Sequence, residues 1–465
     1  MLLTKKQAQV FTLAALVFAS PTIANAEVPL AKAGGWTFST DGRVNGFLSH
    51  VWGDNRPEGL ENLAWVGFNE ITQGEAADKE GKLRTTRIRS GYVPSVLGFN
   101  LKKLQDGGLN VHARVELGIQ ISNTTPAGIP NQTWMDPRQV YLDVGGNWGT
   151  VRVGRDFRLF SRGNLFMNYE LGHAYGVGFP CSYQKIFGGA CGHVGFGTLW
   201  PDFTGQITYI TPNFGDVFQV SVGAFDPRTV ETLNWFRIPI PRFETEAIAK
   251  YDFRPGWGFK AWVNGAWQQV GLSYDVEDPT TMEVIRREDE LNTVYGVGGG
   301  AIGYFGPIKA GVSGYMGKGM DGFEFLTFNP IISSRDSFNG QEQYEIRPAR
   351  GYLAEASVTF GSTWVMGGYG RAELDRMDTD VPIVPRPGVP TDINAAPLLR
   401  SQTGISAGVF HRIEHVVFGI DYFNAHYGFD PRFVDEDPND GLNNGAYVEP
   451  KQTVNIVNAG ATLEW

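Results

Sequence analysis

From Leu109 to Ile121 apolar and polar residues alternate without an error. Leu109, Val111, Ala113, Val115, Leu117, Ile119 and Ile121 share one parity; Asn110, His112, Arg114, Glu116, Gly118 and Gln120 share the other. Successive side chains of a strand point to opposite faces, so the stretch predicts a strand with one apolar wall and one polar wall. Strands of soluble sheets average about 5–6 residues. A tilted strand that crosses a bilayer needs about 9–11, and this run exceeds that.

The pattern recurs along the chain. Phe38, Thr40, Val44 and Leu48 oppose Ser39, Asp41, Arg43 and Asn45, and Phe259, Ala261 and Val263 oppose Lys260 and Asn264. Near the end Val457, Ala459, Ala461, Leu463 and Trp465 oppose Asn458, Thr462 and Glu464. Sixteen such segments start near residues 36, 83, 108, 137, 149, 202, 216, 243, 256, 290, 307, 348, 363, 400, 415 and 453. Short connections such as Gly146-Asn147-Trp148, Arg254-Pro255-Gly256 and Gly361-Ser362 alternate with long ones, among them 53–82, 157–201 and 375–399. The prediction is an all-β, transmembrane, antiparallel up-and-down barrel of about 16 strands, with short turns on one side of the membrane and long loops on the other.

Composition supports it. Sixty glycines and only 19% charged residues do not suit a helical protein. A mean hydropathy of −0.19 excludes a bundle of membrane helices and fits a wall half lipid-facing and half wet. Residues 1–26 read as an export signal: Lys5 and Lys6, a short apolar core, and the small-x-small site Ala24-Asn25-Ala26. Removing it takes two lysines from 39 basic residues, leaving 37 against 49 acidic ones, or about −12, which argues against nucleic acid as a partner. Residues 27–465 then form one barrel domain. Trp36 and Trp52, and Trp257 and Trp267, sit at strand ends, where an interfacial girdle places its aromatics.

The run Arg138-Gln139-Val140-Tyr141-Leu142, a small turn, and Gly149-Thr150-Val151-Arg152-Val153-Gly154-Arg155 resembles the fourth and fifth strands of Gram-negative general porins. Thr86 to Gly91 and Leu109 to Glu116 resemble their second and third strands. The resemblance implies a homotrimer of sixteen-stranded barrels in the outer membrane, in contact with lipid and lipopolysaccharide. It also implies that Trp465 is the terminal aromatic read by the barrel assembly machinery. Residues 157–201, which follow Gly154-Arg155, match the third loop that bends into the lumen. A barrel of this size leaves a water-filled lumen, and an inward loop makes it a sieve.

The arginines are the candidates for selectivity. Arg43, Arg87, Arg89 and Arg114 fall on the polar parity of the first three strands. On the lipid side each would cost about 2–4 kcal/mol at the midplane. The resemblance matches Arg43, Arg87 and Arg138 to a basic wall cluster and Glu116 to an acidic position beside it; Glu170 is the best loop carboxylate. Two departures stand out. Asp202 and its neighbours occupy the place of a further family arginine, and Arg138 shares its parity with the apolar Val140 and Leu142. The competing reading is that these are solvated lumen charges without a special role.

Cys181 and Cys191 are the only cysteines, and both lie in the 157–201 loop. In an oxidising periplasm they are most simply a disulfide. A metal site with His173 or His193 has too few ligands at usable spacing in the sequence. No cofactor and no metal are expected.

Three motifs are set aside. Gly404-Ile405-Ser406-Ala407-Gly408, followed by Asp421 and His426, fits a hydrolase nucleophile elbow, but it lies inside an alternating strand with no helix after it. Gly298 to Gly303 fits a dinucleotide fingerprint, but a turn follows it. The acidic cluster Asp430, Asp435, Glu436, Asp437 and Asp440 reads as a solvated outer loop. The expected function is passive diffusion of small hydrophilic solutes and ions across the outer membrane. The alternatives are a substrate-selective channel, an outer-membrane enzyme and a plugged structural barrel.

Overall fold

The computed structural model describes residues 27–54, 83–105, 108–119, 121, 135–180, 190–227, 235–236, 238–277, 284–319, 331–336, 341–375, 399–429, 432–434, 446–448 and 451–465. The export signal, Cys181 and the whole acidic cluster Asp430, Asp435, Glu436, Asp437 and Asp440 lie outside them. The described chain forms a closed antiparallel barrel of sixteen strands. The first eight are β1 (Trp36–Gly53), β2 in two pieces (Leu83–Arg89 and Ser95–Lys103), β3 (Asn110–Ile119), β4 (Met135–Gly146), β5 (Gly149–Phe157), β6 (Phe203–Ile210), β7 (Phe218–Phe225) and β8 (Arg242–Arg254). The others are β9 (Trp257–Glu277), β10 (Val284–Phe305), β11 (Ile308–Lys318), β12 (Pro348–Phe360), β13 (Thr363–Leu374), β14 (Leu399–Ile413), β15 (Val416–Phe429) and β16 (Lys451–Glu464). Pairing of β16 with β1, from Arg43↔Glu464 to Gly53↔Val454, closes the ring.

Closure leaves no sheet edge, which is what hydrocarbon demands of a backbone that must satisfy its own hydrogen bonds. Parity follows the sequence. Val44 and Leu48 on β1, Val115 on β3, Val263 on β9, Val312 on β11 and Ile420 on β15 are exposed on the outer face. Ser39, Asp41, Arg43, Asn45 and Ser49 on β1 turn the other way and are buried. Trp257 and Trp267 both lie on the outer face, Trp257 beside Phe305 and Trp267 beside Phe243. The two-residue turns tighten where the sequence placed them: Gly256 and Gly361 take φ of 75° and 59°, a left-handed conformation that glycine adopts without strain.

Two features depart from simple alternation. The second strand is broken, because residues 90–95 stand opposite only three residues of β1, 44–46. Asn45 replaces the lost ladder: its Nδ2 donates to Val93 O (2.7 Å) and its Oδ1 accepts from the Gly91 N–H (2.8 Å). The β9–β10 hairpin also runs on as paired backbone to Glu277 and from Val284, beyond the expected start near 290. A ladder supplies its own hydrogen bonds and needs no apolar face to continue.

Candidate functional site

The connection between β5 and β6 carries the helix α1 (Arg162–Leu171) and a single 3-10 turn (His173–Tyr175). Leu159, Phe160, Leu165, Met167, Leu171, Val177, Phe179, Phe196 and Leu199 of this segment are fully buried. A solvated surface loop would not bury its apolar residues this way.

What buries them is the barrel wall, through side chains of the parity opposite to the exposed apolar face. At one end Phe160 N donates to Glu244 Oε2 (2.7 Å), and Arg162 pairs with Glu246, both glutamates on β8. Along α1, Trp262 of β9 donates from Nε1 to Asn164 Oδ1 (2.8 Å), and Asn164 Nδ2 donates to Gly314 O of β11 (3.1 Å). Past the helix, Asp421 of β15 accepts from the backbone N–H groups of Val177 (3.0 Å) and Gly178 (2.9 Å). Asn458 of β16 donates to Gly178 O (3.1 Å) and to Asp421 Oδ1 (2.8 Å). Tyr92, exposed to the segment by the break in β2, donates its N–H to Gly176 O (2.8 Å).

The arginines singled out in the sequence have distinct surroundings. Arg43 is fully buried; it donates to Ala174 O (2.7 Å), pairs with Glu464 and lies 5.2 Å from the Tyr175 ring centre. Arg412 lies 5.2 Å from the same ring centre and donates to the Tyr175 hydroxyl (2.7 Å), so two guanidinium groups lie against this tyrosine. Burial and the neighbouring Glu464 carboxylate push the Tyr175 hydroxyl above its usual range. Arg114 is the centre of a buried network: it grips Asp41 with both terminal nitrogens (2.7 and 2.9 Å), reaches Glu116 (2.5 Å) and donates to Gln139 (2.7 Å). Gln139 continues to Asp156 (2.6 Å), and Arg152 joins Asp156 to Asp143. The alternation marked Arg114 and Glu116 as lumen charges; their partners on β1, β4 and β5 come from the register between strands. Arg87 is half-buried and Arg89 fully buried, both on the inward parity.

Arg138 resolves the conflict between parity and resemblance. In the β3–β4 ladder Glu116 pairs with Gln139 and Leu117 with Pro137, which leaves Arg138 in a bulge. A bulge re-aims the side chain it carries, and Arg138 is buried with its guanidinium 5.5 Å from the Phe203 ring centre. Glu170, the expected loop carboxylate, is not a lone charge: Lys260 of β9 pairs with it, and Tyr304 of β10 donates to it (2.7 Å). Lys260 was legible as inward-facing, its partnership with α1 was not.

His173 and His193, which lack neighbours at ligand spacing in the sequence, meet Glu355 of β12. All three are fully buried. Burial, and His173 beside it, hold His193 well below the usual imidazole range. Ser406 sits mid-strand on β14, hydrogen-bonded to His193 (2.8 Å), while Asp421 caps the segment and His426 meets Thr453. The strand–turn–helix that an elbow nucleophile requires does not surround Ser406. The glycines from Gly298 to Gly303 likewise lie inside β10.

The family model for Gram-negative porins matches residues 12–413. The chain belongs to the Gram-negative porin family. Among curated proteins none matches this porin in sequence. Among solved structures it is similar to the outer membrane channel DcaP of Acinetobacter baumannii, at 13% identity over 94% of this chain and 100% of that one, with a TM-score of 0.58. It is also similar to the anion-selective porin from Comamonas acidovorans, at 14% identity over 92% and 100%, with a TM-score of 0.51. At such identities these likenesses concern the fold. The porin is thus an outer-membrane diffusion channel.

Proposed function

We propose that this porin passes small hydrophilic solutes and ions through a lumen that residues 157–201 narrow to a constriction. The observation that carries the reading is the docking of this one segment on inward-parity residues from β8 round to β16 and on Arg43 of β1. In this reading Arg87, Arg89 and Arg138 line the passage together with the Glu170–Lys260 pair, and the ion pairs of Arg43, Arg114 and Glu116 hold the wall and the segment in shape. The protein works as a homotrimer seated in lipopolysaccharide and lipid, exported by residues 1–26 and delivered by the assembly machinery that reads Trp465. Cys181 and Cys191 form a disulfide within the segment.

Single-channel recording in a planar bilayer tests this. The expected result is stepwise openings grouped in threes, with a conductance well below that of an unobstructed sixteen-stranded lumen. A silent protein would instead support a plugged structural barrel.

A further inference from the structure

We propose that His173, His193 and Glu355 form a binding site for one divalent first-row transition-metal ion, which fastens both limbs of the 157–201 segment to the barrel wall. Their ligand atoms lie within 4.8 Å of one another, with His173 Nδ1 3.1 Å and His193 Nε2 4.0 Å from Glu355 Oε1. Two imidazoles and one carboxylate are a donor set that zinc and its neighbours take, at about 2.0–2.2 Å per bond. Small side-chain rotations bring the three atoms onto one ion.

The atoms an ion would use are engaged in hydrogen bonds that metal binding would replace. The Asn168 amide donates from Nδ2 to both Glu355 Oε1 (2.6 Å) and His173 Nδ1 (2.8 Å). His173 Nδ1 also lies within hydrogen-bond distance of Glu355 Oε1 (3.1 Å), so an ion bound here would take the place of a proton between them. On the other side, His193 Nδ1 donates to Phe196 O (3.3 Å), which leaves the Nε2 lone pair free to accept from the Ser406 hydroxyl (2.8 Å). A ligating imidazole is commonly fixed in this way, by a carbonyl on its other nitrogen. Glu355 Oε2 and His173 Nε2 are buried, with no hydrogen-bond partner among the described residues. A fully buried carboxylate with one unanswered oxygen beside two imidazoles calls for positive charge.

The three residues come from three places. His173 lies in the 3-10 turn after α1, His193 in the limb that returns to β6, and Glu355 in the middle of β12. An ion here joins the outgoing limb, the returning limb and the wall at one point. The His173 and His193 rings already meet edge to face, with centres 5.1 Å apart. The site stands whether or not the segment sets the pore width, because it is read by metal binding and not by conductance.

The test is to treat the purified full-length porin with a chelator and titrate it with Co2+, following the visible d–d absorption, then displace the cobalt with Zn2+. One equivalent per chain is expected. Glu355→Gln, His173→Gln and His193→Gln should each weaken binding by more than the roughly 10–100-fold that follows loss of an outer-shell partner; Asn168→Ala should fall within that range. Each variant is first checked for the heat-resistant migration of a folded barrel. Anomalous scattering from zinc-soaked crystals of the unaltered protein gives an answer that needs no variant: a peak between the three side chains supports the site. The proposal is overturned if no stoichiometric metal binds, if binding survives loss of Glu355 in a folded barrel, or if the anomalous peak lies elsewhere.

Discussion

The side chain of Arg138 lies across the α-carbon of Gly118 on the neighbouring strand, where any Cβ would collide with its Nε and Cδ. The bulge at Arg138 sends the arginine inward, and the missing side chain at position 118 gives it room to lie flat toward Phe203. Gly118→Ala should therefore lift Arg138 off its bed and destabilise the barrel by about 1–3 kcal/mol, the usual cost of overpacking. Denaturant unfolding in detergent measures the loss, and reversal potential in a salt gradient reports the displaced charge. If both stay at the unaltered values, Arg138 is not held there.

Asp421 pins the segment through two backbone N–H groups and Asn458. Asp421→Ala leaves buried donors unanswered at about 1–3 kcal/mol each. The expected outcome is a folded barrel with a looser segment, seen as higher single-channel conductance and more current noise. Unchanged conductance would mean that the segment does not control the passage.

Arginines on the same wall should respond differently to neutralisation. Arg87 is half-buried and its Nε has no partner among the described residues, so Arg87→Gln combined with Arg89→Gln should shift the reversal potential toward cations. Arg114→Ala should instead cost about 3–5 kcal/mol, because it strands the carboxylates of Asp41 and Glu116 that it now satisfies. Bilayer recording and unfolding midpoints on the same set of variants separate the two classes. A filter role for Arg87 and Arg89 is lost if the potential does not move.

The proposed Cys181–Cys191 disulfide would close a small loop and contribute about 2–3 kcal/mol by restricting the unfolded chain. Non-reducing peptide mapping should find the two thiols joined, and Cys181→Ser should lower unfolding stability by that amount. Two free thiols would remove the bridge.

The sequence by itself determined the wall. Alternation has a period of two, and a strand displays it whatever its neighbours are, so strand positions, the inner and outer faces and the tight turns at Gly256 and Gly361 were all legible. The same rule put Arg43, Arg87, Arg89, Arg114 and Lys260 on the inner parity. Only the tertiary structure decided what those charges do. A bulge is a mismatch in count between two strands, so the parity of Arg138 within its own strand pointed the wrong way. The break at 90–95 is likewise a mismatch with β1, answered by the side chain of Asn45. The docking of the β5–β6 segment joins residues 84 or more positions apart, and the meeting of His173 and His193 with Glu355 joins residues more than 160 apart. No local period carries such a contact. It exists because the barrel closes and brings β12 against a loop that left the wall at β5.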